Sequence, residues 1–360
     1  MNKIKFKDIF NYQKKSKIKA GEGKNLGKYP FFTSSNILNK YVDEYLYDGE
    51  FLIFGTGGSA SINYYNGKFS TSSDNFIVGS NNDVNCKYIY YYLKNNLHIL
   101  ENGFKGAGLK HLSKEYLDNI IIPIPNKELQ DKIVNLEDNL EQQEKILNLA
   151  NCEIEKLICS KFQSIFEDLS SYENLSLSDC SNFIDYRGHT PKVSSTGEIR
   201  MINAKSVGDG YFKYIAEFID EELYTSWMHR GFAYPGDILF VTEGATFGNV
   251  CLIPNDLNKF ALGQRVITIQ GKNNIINNNY LYNYMKTKKF KNAIEFYKTG
   301  GTAKGIRSKD LLKIMIPIPP YNLQQEFSKF YLNVMKIQEN IHNNLDELNK
   351  MKKSIIKNMI

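Results

Sequence analysis

The same succession of motifs occurs twice along this chain, and that repeat limits the possible folds more than any other feature. The segment Ile121–Pro125 returns 194 residues later as Met315–Pro319, each with the pattern Ile-Pro-Ile-Pro at its end. Upstream of these motifs, Gly49–Phe54 matches Gly236–Val241, and a glycine-rich stretch follows both segments. Solenoid repeats return every roughly 20–50 residues, so this much longer period predicts the tandem duplication of a whole domain.

A heptad pattern of apolar residues follows each Ile-Pro motif. Apolar side chains at alternating steps of four and three over about four heptads predict a coiled-coil helix. Gln143 and Asn344 interrupt the pattern, and as buried polar residues they would weaken the seam and set its alignment. Both seams have the same offset of 194, which favours a common frame over two unrelated surface helices. The seam residues are Leu129, Ile133, Leu136, Leu140, Leu147 and Ile154 in the first helix and Leu323, Phe327, Phe330, Val334, Ile337, Ile341 and Leu348 in the second.

These patterns divide the chain into four predicted parts. They are block 1 (residues 1–125), a helix over residues 126–169, block 2 (residues 170–319) and a helix over residues 320–360. Both blocks are predicted to be mixed α/β (α+β) domains, because short apolar runs rich in β-branched and aromatic residues alternate with short helical patterns. Strands are predicted at Phe51–Phe54, Asn75–Val78, Ile238–Val241 and Gln264–Gln270, and helices at Tyr88–Asn95 and Asn279–Lys288.

The distribution of charge separates the blocks from the helix between them. The net charge of +6 is too small to establish binding of a nucleic acid by itself. Residues 1–125 contain 16 basic and 11 acidic side chains and residues 171–319 contain 18 and 14, whereas residues 126–170 contain 5 and 10. We therefore expect any polyanion to contact the two blocks and not the acidic helix.

Several classes of protein are disfavoured by composition. The five cysteines are scattered and form no C-x-x-C pair, which argues for reduced thiols and against a disulfide framework or a zinc site. The five histidines show no metal-binding spacing. No apolar run approaches the roughly 20 residues of a membrane helix, and the polar, basic start differs from a secretory signal. We expect a cytoplasmic protein without a metal and without a membrane segment.

Two short motifs resemble motifs found in enzymes, but neither is sufficient evidence for catalysis or for cofactor binding. Gly55–Ala60 has the pattern G-x-G-x-x-A, which alone is weak evidence for a dinucleotide or S-adenosylmethionine turn. Pro319-Pro320-Tyr321 resembles the end of the Asn/Asp-Pro-Pro-Tyr motif of DNA amino-methyltransferases, but Ile318 replaces the required polar acceptor. We expect no catalytic residue and no bound cofactor in this chain.

Loops rich in glycine, lysine, arginine, serine, threonine and asparagine remain as the functional candidates. Glycine permits close approach of a backbone, lysine and arginine neutralise phosphates, and arginine, asparagine and serine read base edges. An ordinary solvated loop remains the alternative for each residue. The predicted DNA contacts are Thr33, Ser34, Ser35, Thr56, Ser59, Lys105, Lys110 and His111 in block 1, and Tyr186, Arg187, Asn203, Lys205, Thr242, Thr246, Lys298, Lys304 and Arg307 in block 2.

Taken in this order, the motifs resemble the specificity subunits of type I restriction-modification systems, the HsdS family. The resemblance covers essentially the whole chain. It rests on the two Ile-Pro motifs, on Leu129-Gln130 and Leu323-Gln324 close behind them, on the long helices and on the Gly/Lys loops. The segments Gly188–Pro191 and Ile202–Lys205 are also similar to the start of a target-recognition domain in that family.

The resemblance implies two target-recognition domains that each read one half of a bipartite site in double-stranded DNA, with an antiparallel pair of helices as the spacer. It further implies that methyltransferase subunits, two in number, dock on the helices and that a translocase-nuclease subunit joins them. S-adenosylmethionine, ATP and Mg²⁺ would then belong to those partners. Because the loops of the two copies differ, we expect an asymmetric site. The alternative is a coiled-coil assembly scaffold that does not bind DNA specifically, and a third possibility, a fused methyltransferase, is disfavoured by the chain length.

Overall fold

The chain folds into two compact units that each contain one α/β block and half of each long helix. The computed structural model describes residues 2–80, 84–106, 110–186, 191–299 and 304–359, with side chains described as far as residue 355. One unit consists of Met1–Ala150 with Ile341–Ile360, and the other of Asn151–Asn340. We call them unit 1 and unit 2. The prediction of two tandem mixed α/β domains, each followed by a long helix, is confirmed.

Block 1 is built around one mixed sheet with short helices on its face. The strands run in the order β2-β7-β5-β6-β3-β4; β3 is parallel to β6, and the other neighbours are antiparallel. Its strands are β1 (Asn2–Lys5), β2 (Phe10–Tyr12), β3 (Tyr29–Phe32), β4 (Tyr41–Val42), β5 (Tyr47–Gly55), β6 (Ser61–Thr71), β7 (Asn75–Ser80), β8 (Phe104–Lys105), β9 (His111–Leu112) and β10 (Ile121–Ile124). Its helices are α1 (Phe6–Ile9), α2 (Cys86–Asn95), α3 (His98–Glu101) and α4 (Lys114–Asp118).

The sheet of block 1 carries apolar residues on both faces. The larger core contains Phe6, Phe54, Tyr88 and Leu117, contributed by three of the helices and the central strand β5. A smaller cluster, rich in aromatic rings, is formed by Phe32, Tyr47, Ile53, Phe69 and Ile77. Because β5 and β7 place residues in both clusters, the predicted strands Phe51–Phe54 and Asn75–Val78 read as nearly continuous apolar runs and are confirmed.

Block 2 follows the first long helix, α5 (Lys127–Ile165), and repeats the topology of block 1. The order β12-β18-β15-β16 matches β2-β7-β5-β6, and a three-stranded sheet of order β14-β13-β17 matches the far edge of the block 1 sheet. Its strands are β11 (Asn174–Ser176), β12 (Ser181–Asp185), β13 (Ile199–Ile202), β14 (Phe218–Ile219), β15 (Ile238–Val241), β16 (Val250–Leu252), β17 (Phe260–Leu262), β18 (Val266–Gly271) and β19 (Met315–Pro317). Its helices are α6 (Leu177–Cys180), α7 (Glu221–Trp227), α8 (Asn278–Met285), α9 (Lys288–Phe296) and α10 (Ser308–Leu311), and the second long helix is α11 (Tyr321–Met359).

Two boundaries in block 2 differ from the sequence prediction. The strand predicted from residue 264 begins at Val266, because Arg265 occupies a left-handed turn with φ of 63°. The helix predicted over Asn279–Lys288 is two helices, since the Thr287 side chain accepts from the Phe290 backbone N–H and starts α9.

A buried glutamine holds the start of α5 against block 1. Gln130 donates from its side-chain amide to the Pro125 carbonyl (2.9 Å) and accepts from the Asn85 backbone N–H (2.8 Å). The hydroxyl of the buried Tyr88 donates to the carbonyl of Pro123, within the Ile-Pro strand β10 (2.8 Å). These bonds satisfy backbone groups that would otherwise be buried without partners.

The start of α11 is held against block 2 by the same contacts. Gln324 donates to the Pro319 carbonyl (2.7 Å) and accepts from the Asn277 backbone N–H (2.8 Å), and the Tyr280 hydroxyl donates to the Pro317 carbonyl (2.8 Å). The repeated Ile-Pro and Leu-Gln motifs therefore encode a joint between each block and the helix that follows it.

The two long helices are paired antiparallel. In unit 1, Lys352 in the second half of α11 forms an ion pair with Glu144 in the first half of α5. In unit 2, the Gln338 amide, in the first half of α11, donates to the Asn151 side-chain oxygen, in the second half of α5 (2.8 Å). Since each helix continues from one unit into the other, this order of contacts requires opposite directions.

Only some of the residues of the predicted seam are buried. Leu140, Ile154, Phe327, Val334, Ile341 and Leu348 are buried, while Ile133, Leu147, Leu323 and Phe330 are half-buried. The prediction is wrong for Leu129, Leu136 and Ile337, which are 40%, 45% and 55% exposed, and Gln143 and Asn344 are exposed as well.

The exposed seam residues share one heptad position, and the buried position lies one residue further along the helix. There the chain places Gln130, Glu137, Gln324 and Tyr331, which are all buried. Polar residues can occupy this position because they bond to the blocks or to the opposite helix, and apolar periodicity cannot detect them.

Candidate nucleic-acid interface

Three loops of block 1 meet at one end of its sheet. The loop after β3 is attached by the Ser34 hydroxyl, which donates to the Asp74 carbonyl (2.7 Å). The loop after β5 is attached to the same carbonyl by the Thr56 backbone N–H (2.9 Å). The third loop, Lys105–His111, joins through the Leu112 N–H, which donates to the Thr56 carbonyl (3.0 Å), and through a bridge between His111 and Gly57.

These contacts bring most of the block 1 candidates together. Ser35, Ser59, Lys105, Lys110 and His111 are exposed in the cluster, whereas Thr33 and Ser34 are half-buried. Among the described residues, neither Lys105 nor Lys110 has an acidic partner within ion-pair distance. The positive charge of this cluster is therefore available to an external anion.

Block 2 has an equivalent cluster. The Thr242 N–H donates to the Arg265 carbonyl (2.9 Å), and the Ile306 N–H donates to the Thr242 carbonyl (2.9 Å). The Gly244 N–H donates to the Lys304 carbonyl (3.0 Å), which joins the glycine-rich loop after β15 to the second Gly/Lys loop. The bonds of Thr56 and Leu112 in block 1 therefore correspond to those of Thr242 and Ile306 in block 2.

The electrostatics of the two clusters differ. In block 2, Lys205 pairs with Glu217 (2.5 Å), Lys298 with Glu295 (2.5 Å) and Arg307 with Asp310 (2.7 Å). The hydrogen bond from the Lys205 ammonium, joined by that from the Asn203 amide, lowers the pKa of Glu217. Lys304 is exposed, and Thr246 is half-buried. Most of these block 2 cations are thus already neutralised within the chain.

Three of the residues predicted to contact DNA have enclosed side chains. Thr56 and Thr242 are 6% and 0% exposed, and it is their backbone groups that hold the loops. Tyr186 is 2% exposed, and its hydroxyl donates to the Gly231 carbonyl (2.9 Å) while accepting from the Arg230 N–H (2.7 Å). Arg187 lies outside the described residues, as do Gly188, His189 and Thr190 of the proposed domain start.

A run of lysines that sequence reasoning missed lies beside the block 1 cluster. Lys14, Lys15, Lys17 and Lys19 are exposed on the segment after β2, and the backbone of this segment is tied to the turn at residue 73 by the Ser73 N–H donating to the Ile18 carbonyl (2.8 Å). That turn includes Asp74, whose carbonyl holds the other two loops. The signal was present in the sequence as four lysines within six residues.

Strand register aligns this lysine run with the proposed start of the second recognition domain. Tyr12 lies opposite Val78 in block 1, and Phe183 lies opposite the matching residue Ile269 in block 2. Counting onward in the sequence from these strands, Ser16 corresponds to Arg187, and Lys15 and Lys17 lie on either side of Ser16. In its sequence, block 1 therefore has a basic segment that corresponds to the part of block 2 resembling the start of a target-recognition domain.

Arg265 is a second candidate that the sequence did not reveal. Its guanidinium forms an ion pair with Glu243 (3.1 Å), and its carbonyl accepts the Thr242 N–H at the centre of the block 2 cluster. Nothing in the local sequence marks it, because its placement depends on the pairing of β15 with β18.

The described residues contain no group of three or more His, Cys, Asp or Glu side chains placed to hold a metal ion. Burial raises the pKa of Cys86 and of Cys251 to about 12 and that of Cys180 to about 11, so these thiols stay protonated near neutral pH. No helix in the described part of the chain combines the length and apolar character needed to cross a membrane.

Comparisons with known proteins agree with this geometry. Residues 1–156 and 185–350 match the family described as the type I restriction modification DNA specificity domain. A putative type I restriction enzyme specificity subunit of Haemophilus influenzae is 26% identical over 312 residues, which cover 83% of this chain and 78% of that protein.

Two solved structures share the fold. One is the S subunit of a type I restriction-modification system from M. genitalium, with a TM-score of 0.72 and 17% identity, covering 100% of this chain and 96% of that one. The other is a chain from a study of complex assembly and conformational transition of the type I R-M system, with a TM-score of 0.51 and 12% identity, covering 99% and 97%.

Proposed function

Because the chain belongs to the family of type I restriction-modification DNA specificity domains, we propose that it selects the DNA sequence for such a complex. In this proposal each block binds one half of a bipartite site in double-stranded DNA. The chain itself is non-catalytic, and it directs methyltransferase subunits, two in number, and a translocase-nuclease subunit to the site. S-adenosylmethionine, ATP and Mg²⁺ are bound by those partners.

The observation that carries this proposal is a duplicated loop cluster on a duplicated frame. In both blocks the glycine-rich loop and the Gly/Lys loop are joined through the same backbone positions, Thr56 with Leu112 and Thr242 with Ile306. The exposed side chains on these loops differ between blocks. Equal frames with unequal contact residues support the reading of two different half-sites and hence an asymmetric sequence.

The long helices supply a surface for protein partners. In unit 1, α5 exposes Leu129, Leu136, Ile146 and Leu149, which are between 40% and 57% exposed. Single exposed apolar residues are common, but several along one helix indicate a surface that is covered in an assembly. We propose that the methyltransferase subunits cover it.

The proposal is tested by reconstituting the chain with its methyltransferase partners and sequencing the methylated DNA. The expected result is one bipartite, asymmetric motif. Replacing Lys110 or Lys304 by Ala should weaken binding to every duplex and lower the salt slope by about 1, because each removes one phosphate contact. A complex that assembles yet binds all sequences equally would instead support the coiled-coil scaffold.

A further inference from the structure

Phe296 is the most exposed aromatic side chain among the large apolar residues of the described chain, at 83% exposed. It is the last residue of α9, and its ring meets that of Tyr297 edge-on at 5.1 Å between centroids. A phenylalanine in water forgoes the free energy that burial would supply. The ring is therefore accessible to a binding partner.

The ring is held at the edge of the block 2 loop cluster from both sides. Two residues before it, Ile294 is buried so close to Gly248 that a Cβ on this glycine would lie 3.0 Å from the isoleucine side chain. Three residues after it, Thr299 exchanges two backbone hydrogen bonds with Gly305 (2.8 and 3.0 Å), which also bridges to Glu243. Both anchors attach the segment to the glycine-rich loop that follows β15.

The corresponding residue of block 1 is polar. His111 bridges to Gly57 and pairs with Lys105, as Gly305 bridges to Glu243 and pairs with Thr299. Counting three residues back from Lys105 and from Thr299 gives Asn102 and Phe296. Asn102 is exposed, so the frame itself does not require an apolar residue at this position.

The charged groups around Phe296 are compatible with a ligand that has phosphates next to stacked bases. The carboxylates of Glu243 and Glu295 are each paired with a cation, Arg265 and Lys298. Lys304, whose carbonyl accepts from the glycine-rich loop, is exposed and has no ion-pair partner among the described residues. An aromatic ring among cations matches a nucleic acid, in which phosphates border stacked bases.

We infer that Phe296 packs its ring against nucleobases of the DNA half-site that block 2 reads. The inference rests on the proposed function and deepens it, because it assigns an apolar contact to block 2 that block 1 lacks. Proteins use such side chains to press into a base step, which makes binding depend on how easily that step unstacks.

The test uses the complex reconstituted with its methyltransferase subunits and a duplex containing the methylated motif. Affinity is measured at several salt concentrations for the wild type, F296A, F296N, F296W and K304A. We expect F296A and F296N to weaken specific binding about 10-fold with an unchanged salt slope, and F296W to stay within about 2-fold of the wild type. K304A should change the slope instead.

A second measurement locates the contact. Duplexes carrying 2-aminopurine at each adenine of the half-site should show one position whose fluorescence rises on binding wild type and not on binding F296A, because an unstacked base is less quenched. Wild-type affinity in F296A, with no altered 2-aminopurine signal, would overturn the inference and leave the proposed function standing.

Two other results also decide it. If F296A fails to assemble with the methyltransferase subunit, Phe296 contacts a protein partner and the inference is overturned. If the wild-type complex shows no sequence preference at all, the proposed function fails and this inference fails with it.

Discussion

The contacts of α2 with α5 in unit 1 are ionic. Lys87 pairs with Asp138 (2.6 Å) and Lys94 with Glu141 (2.5 Å), and the Tyr91 hydroxyl donates to Asp138 (2.5 Å). Two carboxylates of the acidic helix, Asp138 and Glu141, thus face lysines of the block that precedes it.

In unit 2, aromatic rings join α8 to α11 and both of these helices to the second half of α5. The ring of Tyr280 in α8 stacks on that of Phe162 in α5, with 5.7 Å between ring centroids. Phe162 also meets Phe327 of α11 edge-on, with centroids 5.2 Å apart. The centroids of Tyr282 and Tyr331 lie 6.1 Å apart. The two units hold the same backbone arrangement with different side-chain chemistry. What the duplication preserves is therefore the set of bonds to backbone groups, and the packing around them has diverged.

The blocks diverge in the same manner. Strand β6 runs unbroken for 11 residues in block 1, whereas block 2 replaces it with the two short strands β16 and β17 and adds α7 before β15. The parallel pairing is kept in both blocks, between β6 and β3 in block 1 and between β17 and β13 in block 2. Variation is concentrated in the connections, where it changes the exposed loops at little cost to the sheet.

The largest expected effect is a difference in stability loss between unit 2, with its aromatic contacts, and unit 1, with its ion pairs. Phe327→Ala removes a fully buried ring and should destabilise unit 2 by about 3–5 kcal/mol. Ile133 has the matching position in α5 and is half-buried, so Ile133→Ala should cost no more than about 2 kcal/mol in unit 1. Hydrogen exchange resolved by segment measures both. Equal losses of protection would contradict the difference between the units.

The next prediction concerns DNA binding by block 1. Replacing Lys14, Lys15, Lys17 and Lys19 by Ala should weaken binding of all duplexes by on the order of 100-fold at low salt and flatten the salt dependence, because up to four phosphate contacts are lost. The control is the double variant K132A/K156A, whose lysines pair with Glu128 and Glu153 on α5. A similar loss in the control would argue against a specific role for the run.

A smaller effect tests the ionic interface directly. Asp138→Ala removes the ion-pair partner of Lys87 and the nearer of two carboxylate acceptors of the Tyr91 hydroxyl, and it should cost about 1–2 kcal/mol at low salt, less at high salt. In unit 2, Ser328→Ala removes the acceptor of the Asn279 amide (2.8 Å) and should cost about 1 kcal/mol at any salt concentration. Thermal unfolding over a range of NaCl compares them; the same salt dependence for both would refute the assignment.

The smallest effect is the pH dependence that Glu137 gives to the stability of unit 1. Burial raises the pKa of Glu137, partly offset by a hydrogen bond from the Asn95 amide and by the charge of Lys352. A carboxyl whose pKa is higher in the folded state stabilises the fold while it is protonated. Its contribution to stability is fully present below the unfolded pKa of about 4.3 and is lost as pH rises through the folded pKa. Glu137→Gln should remove this slope and change Tm by no more than about 2 °C. An unaltered profile of Tm against pH would count against it.

Much of the frame was predictable from the sequence. Four of the predicted strands and the helix at Tyr88–Asn95 are present, because their apolar runs are continuous and bordered by turn residues. The seam was misplaced at Leu129, Leu136 and Ile337 because an apolar pattern cannot reveal that Gln130 and Gln324 are buried.

The candidate interface was predictable at the level of loops and less so at the level of side chains. Lys105 and Lys110 lie exposed where their loop was expected, whereas Thr56 and Thr242 are enclosed and serve through their backbones. From the sequence alone, a threonine in a loop is predicted to be an exposed polar residue. Whether its side chain is exposed or buried depends on residues that are distant in the sequence.

By itself, the sequence determined that one α/β domain and one long helix occur twice, because the Ile-Pro and Leu-Gln motifs and the heptads are local patterns whose repetition is visible. Only the tertiary structure decided which face of each helix is buried and which loops share a cluster. Those outcomes depend on hydrogen bonds between residues far apart in the sequence, such as Asn85 with Gln130, 45 positions apart, and Asn277 with Gln324, 47 positions apart. No local pattern encodes a contact over that distance, since it exists only after both segments are folded.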